Sequence, residues 1–207
     1  MIPENGQSGD LELFSDPGAL EAVIEDVPSL VVLREFAAHA ATIAWYNKIG
    51  TPLSAATRAM ARAYLDTLGF PDVEIALVEG WEEAASAAES LDWNPAGWEA
   101  EEQLTAALTN QALSLMSEDA LAVALAHVRA QVSADLHDTI ADNAAMWDMT
   151  DETLIHAAAG AVLQASHQAA LALSAEADPA HPLALKFQLF EAGRWPIGIA
   201  GATLNLF

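Results

Sequence analysis

Glu35 and His39 stand four residues apart, and so do Glu152 and His156. On a helix that spacing puts both side chains on one face. An imidazole and a carboxylate from each of two facing helices can hold zinc, iron or manganese. His167 lies eleven positions beyond His156 and returns to nearly the same helical angle; His127 and Asp138 share that spacing. The candidate metal ligands are therefore Glu35, His39, Glu152 and His156. The pattern matches no HExxH, paired ExxH or HxxxH motif, and Glu-to-His pairs at this spacing also arise as ordinary surface pairs. Cysteine is absent, which removes disulfides, thiolate nucleophiles and cysteine-held metals. Ser86, Ser117, Ser133 and Ser166 lie in alanine-rich or capping contexts without a GxSxG elbow.

Two further groups carry recognition chemistry. Between Phe36 and Leu65 there is no acid, while Lys48, Arg58 and Arg62 are present. This is the one stretch suited to an anion, unless the arginines pair with acids on neighbouring helices. The chain also has 6 tryptophans. Trp93 and Trp98 flank a loop next to Glu99, Glu101 and Glu102. Exposed, they would form an aromatic, acidic docking surface; buried, they would plug the end of a bundle. In the segment Gly193-Arg194-Trp195-Pro196-Ile197-Gly198, Arg194 is expected to salt-bridge to the acidic body and pin the tail.

The chemistry sits in an acidic setting. Lys and Arg number 7 against 30 Asp and Glu, a formal charge of -23. Such a surface repels phosphate backbones and anionic lipid, so neither nucleic acid nor membrane is an expected partner. Hydrophobic residues make up 53 %, ample for a core and outside the range of disordered chains. Alanine supplies much of that fraction, and no stretch has the ~20 apolar residues of a membrane span. The N-terminus, MIPENGQSGDLELF, lacks a basic region followed by an apolar run. A cytoplasmic location is expected.

The elements that must position these residues are mostly helices. Residues 1–14 read as a flexible acidic arm. Ser15-Asp16-Pro17 starts a short helix by capping and first-turn proline. Ser29 caps a second helix, ended by Gly50, and Thr51-Pro52 starts a third, closed by Gly69. The pattern over 73–91 fits a helix better than a strand, although Val73, Ile75 and Leu77 alternate. A helix follows Asp92-Trp93-Asn94-Pro95, with Trp98, Leu104, Leu108, Gln111 and Leu115 near one face. Ser117 caps a long helix reaching about Ala145, and Thr150-Asp151-Glu152 starts another that ends near Asp178-Pro179. In the tail, Trp195, Ile197 and Ile199 alternate, as do Leu204 and Leu206, with Ala200-Gly201-Ala202 as a hairpin turn. The segment 183–190 fits a helix end or a third strand. Phe207 is expected to be tucked in.

The expected fold is mainly α: an antiparallel bundle of about six helices over 15–178, with the 179–207 hairpin tail packed on it in the same domain. The leading functional reading is a non-enzymatic protein-binding module for a basic partner, such as an inhibitor or immunity-type protein, with no cofactor. A metal-dependent helical-bundle enzyme using a divalent ion is the first alternative. A scaffold whose copies self-associate through the tail hairpin is the second.

Overall fold

The computed structural model describes residues 21–24, 27, 30–89 and 92–207. Among them eight helices and three strands are delimited: α1 (Val31–Ala40), α2 (Ala55–Leu68), β1 (Glu74–Leu77), α3 (Trp81–Ala88), α4 (Pro95–Leu115), α5 (Glu118–Ser133), α6 (Leu136–Ala145), α7 (Glu152–Ser174), α8 (Pro182–Glu191), β2 (Pro196–Ala200) and β3 (Thr203–Leu206). The fold is mainly helical with a small sheet, as the sequence implies. The N-terminal arm, the Ser15–Pro17 cap and the Ser29 cap lie outside the described residues. Among the described residues no helix is long and apolar enough to cross a membrane.

Helix α7 is the axis of the larger core, and α1, α4, α5, α6 and α8 pack against it. Its 23 residues include a run of alanines and Val162 with no or almost no exposure, small enough to let neighbouring helices approach closely. A second core joins α2, α8 and the sheet through Tyr64, Leu65, Leu189, Ile199 and Leu204. Helix α8 serves both: Leu183, Phe187 and Phe190 face the first core, while Leu185 and Leu189 face the second.

Local capping chemistry sets many of the boundaries. Side chains of Asn94, Ser117 and Asp151 accept backbone N–H groups at the starts of α4, α5 and α7, satisfying donors that have no partner inside the helix. Gly69 ends α2 with φ of 97°, a left-handed conformation that glycine adopts at little cost.

Five expectations change. Helix α1 stops at Ala40 rather than near Gly50, because Trp45 and Tyr46 turn into the core and the Tyr46 hydroxyl donates to the Ala158 carbonyl at 2.7 Å. The cap of α2 is Ser54, not Thr51; its Oγ accepts the Thr57 N–H at 3.0 Å. Residues 74–77 form a strand, because β1 pairs in parallel with β3, Ile75 opposite Leu204. The long helix after Ser117 is two helices: Ser133 Oγ donates back to the Ala130 carbonyl, the chain turns at Ala134–Asp135, and the Asp135 carbonyl accepts from Thr139 to begin α6. Together with the helical 182–191 segment, this gives more helices than the six expected.

The tail hairpin is present, and it is part of a three-stranded sheet in the order β1-β3-β2. Strands β2 and β3 are antiparallel, with an irregularity between Pro196 and Gly198. Phe207 is fully buried and exchanges backbone bonds with Trp195. Arg194 does pin the tail, but among the described residues its partners are carbonyl and hydroxyl oxygens rather than carboxylates. Its Nη2 donates to the Thr51 carbonyl at 2.7 Å, to the Thr51 hydroxyl and to the Pro52 carbonyl. Burial lowers its proton affinity.

Candidate metal site

The first turns of α6 and α7 bring His137, Glu152 and His156 together, with one candidate ligand atom from each lying within 4.8 Å of the others. Asp151 caps α7 and so fixes where Glu152 projects. His156 follows one turn later on the same face. His137 comes from the second residue of α6, a helix that exists because the chain breaks at Ala134–Asp135.

Distances suit a cation. His137 Nε2 lies 3.5 Å from Glu152 Oε2, and His156 Nδ1 lies 3.8 Å from the same oxygen. Ligands of a tetrahedral zinc at bond lengths of ~2.0–2.1 Å stand ~3.4 Å apart. The imidazole centroids are 4.9 Å apart. His137 Nε2 is inaccessible to solvent and makes no hydrogen bond to a described atom; its nearest carboxylate oxygen, on Glu152, is not aligned for one. His156 Nδ1 is 2.6 Å from the Glu152 backbone carbonyl. A proton on Nδ1 satisfies that carbonyl, so Nε2, not the nitrogen 3.8 Å from Glu152, keeps the lone pair for a metal, the arrangement by which a backbone carbonyl commonly orients a metal-binding histidine.

Electrostatics act in both directions. Helix N-termini carry partial positive charge, which favours the Glu152 carboxylate and opposes a cation. Asp138 and Asp151 lie in or beside the same turns, and Asp138 Oδ1 is 3.6 Å from His137 Nδ1. Together with the overall charge of -23, these acids restore a field that attracts cations. Glu152 and His156 are exposed and His137 is half-buried, so one face of the cluster is open to water.

Of the four expected ligands, Glu152 and His156 belong to this cluster and Glu35 and His39 do not. His39 instead meets Glu191 of α8, Nε2 to Oε1 at 2.6 Å. His167 lines an apolar groove between α5 and α7 with Arg129. His127 and Asp138 lose their common face at the break before α6. His137 is the member of this cluster that the sequence does not single out as a candidate. It stands in the sequence as Leu136-His137-Asp138, where adjacent residues point apart on a helix, and its partners lie on the next helix.

The other expected sites fare unevenly. Arg62 donates to the Pro71 carbonyl at 2.7 Å and to the Val73 carbonyl, and lies 3.7 Å from Asp66. Its donors thus serve the approach to β1 rather than an anion. Arg58 and Lys48 are exposed. Trp98 is 63 % exposed and Trp93 39 %, with Glu99 and Glu102 also at the surface, as a docking surface needs. Glu101 is the correction: it is buried, because the inner stripe of α4 runs through Gly97, Glu101, Leu108 and Ala112. Its carboxylate accepts from the Tyr64 hydroxyl and from Lys186 Nζ, 2.5 Å away.

The chain matches no protein-family model, and searches of curated proteins and of solved structures return no match.

Proposed function

We propose that this protein binds a divalent transition metal through His137, Glu152 and His156 and uses its open coordination positions for Lewis-acid chemistry. The observation that carries the reading is the buried His137 Nε2, which has no hydrogen-bond partner among the described residues and lies 3.5 Å from the Glu152 carboxylate. A buried polar atom left unsatisfied costs about 1–3 kcal/mol, and a metal ion would use its lone pair. Two imidazoles and one carboxylate suit zinc or ferrous iron. Three protein ligands with a solvent face resemble catalytic sites, which keep a position for water or substrate, more than closed structural ones.

Cobalt titration tests this directly, because its visible spectrum reports nitrogen ligation and tetrahedral geometry. The expected result is one tightly bound ion per chain in excess magnesium, displaced by zinc. His137→Ala and His156→Ala should each weaken binding by at least about tenfold. Protons compete with the metal for the imidazole lone pairs, so affinity should fall as the pH is lowered. A spectrum of fully hydrated cobalt, or one unchanged in the double variant, would mean that the acids merely gather cations nonspecifically.

A further inference from the structure

A second site lies between α4, α8 and β2, where a cleft of about 170 Å³ opens under the two exposed tryptophans. Its floor is the Tyr64–Glu101–Lys186 cluster. Glu101 and Arg194 are the charged residues among the buried ones described. A buried ion pair contributes little net stability, because desolvation offsets most of the attraction. Its position at the base of a cleft therefore asks for another explanation. Tyr64 is held protonated: burial and then the Glu101 charge raise its pKa well above the usual value. The phenol thus acts as a fixed donor to Glu101. Lys186 has three donors and one acceptor among the described residues, Glu101 Oε2. Its remaining protons and the spare lone pairs of Glu101 are available to the cleft.

The walls are held in place. The segment around Trp93 bridges to Ala200 on the sheet, and Asn94 N–H donates to the Ile199 carbonyl at 2.9 Å. The indole of Trp93 lies over Gly198: a Cβ there would meet its Cζ3 at 2.0 Å, and Gly198 has φ of +151°. The glycine permits both the close stacking and the backbone conformation. Trp98 projects from the first turn of α4, exposed beside it.

We infer that this cleft binds a neutral, polyhydroxylated ring, the chemistry of a sugar residue. Glu101 and Lys186 cancel in charge, and they offer an acceptor and a donor side by side. A hydroxyl both donates and accepts, so vicinal hydroxyls match that pair. The indole faces suit the C–H face of a saturated ring. A cation would meet Lys186, and an anion would meet the field of a chain with charge -23. The volume is below the roughly 300–1,000 Å³ of sites for drug-sized ligands and fits one ring at a time. This inference does not depend on the metal site.

Calorimetric titration with cellotriose, maltotriose and chitotriose is the test, with oligolysine and glucose 6-phosphate as charged comparators. At least one neutral trisaccharide should bind saturably. Trp98→Ala removes an exposed side chain and should leave folding intact while weakening binding by about tenfold or more. The double variant Glu101→Gln/Lys186→Met avoids leaving a lone buried charge and should abolish binding with the circular dichroism spectrum preserved. No saturation by any of the three sugars at tens of millimolar would overturn the inference. So would unchanged affinity in Trp98→Ala, or binding confined to oligolysine or the sugar phosphate.

Discussion

His127, His167 and His181 bind protons less readily than a free imidazole, in each case chiefly because burial disfavours the charged ring; Arg129 adds to the effect at His167. The unfolded chain, with histidine pKa values near 6.5, then holds more protons than the folded one just below that pH. Stability from this source is full above about pH 6.5 and declines as pH falls toward the folded values. Urea unfolding at pH 8 and pH 5 should show the lower midpoint at pH 5. His181 has a further role, since its Nδ1 accepts the Leu183 N–H at the start of α8, and protonation removes that acceptor. His181→Ala should cost about 1 kcal/mol at pH 8, and His181→Asn should recover most of it. At this scale the sequence was legible wherever partners share a helix. Glu152 and His156 could be read from their spacing. His137, Lys186 and the burial of Glu101 could not, because their partners come from other elements. Lys186 did leave a trace: it is a lone cation within LALKFQLF, a setting in which a charge needs a buried partner.

Among the elements, those with caps were readable and those with distant partners were not. Asn94, Ser117 and Asp151 announce α4, α5 and α7 because a side-chain oxygen satisfies N–H groups two or three residues on. Nothing local distinguishes β1 from the helix that its pattern equally fits; Thr203–Leu206 decides the matter. The sheet depends in turn on Phe207, which is fully buried, with ring centroids 5.1 Å from Trp81 and 6.4 Å from Trp195. Phe207→Ala should destabilise the protein by about 3–5 kcal/mol. Thermal unfolding measures the loss, and hydrogen exchange should show it concentrated in β2 and β3. A change of less than about 1 kcal/mol would show that the hairpin stands without this anchor.

For the whole molecule, charge is the dominant fact. Of the 7 basic residues, Arg34 pairs with Glu21 at 3.0 Å, Arg62 and Arg194 are engaged by backbone carbonyls, and Lys186 is held by Glu101. Few cations remain to offset the acids, so the compact state repels itself. Potassium chloride should raise the unfolding temperature steeply up to a few tenths molar, where the screening length falls below about 10 Å. Sucrose, which does not screen charge, should lack that steep initial rise. This property was wholly legible in the sequence, since net charge needs no geometry, whereas the division of the core around α7 and α8 needed the fold.

The pairing of Glu74 with Thr203 also has a consequence in time. Synthesis runs from the N-terminus at about 5–20 residues per second, so β1 leaves the ribosome well before its partner strand is made. Through that interval its backbone groups have no β3 to bond, and the cavity beneath Trp93 has no β2 wall. The helices around α7 can assemble first, but any ligand of that cavity must wait for the sheet. A chain stalled before residue 196 would present an unpaired strand to its neighbours, a template for association between nascent chains.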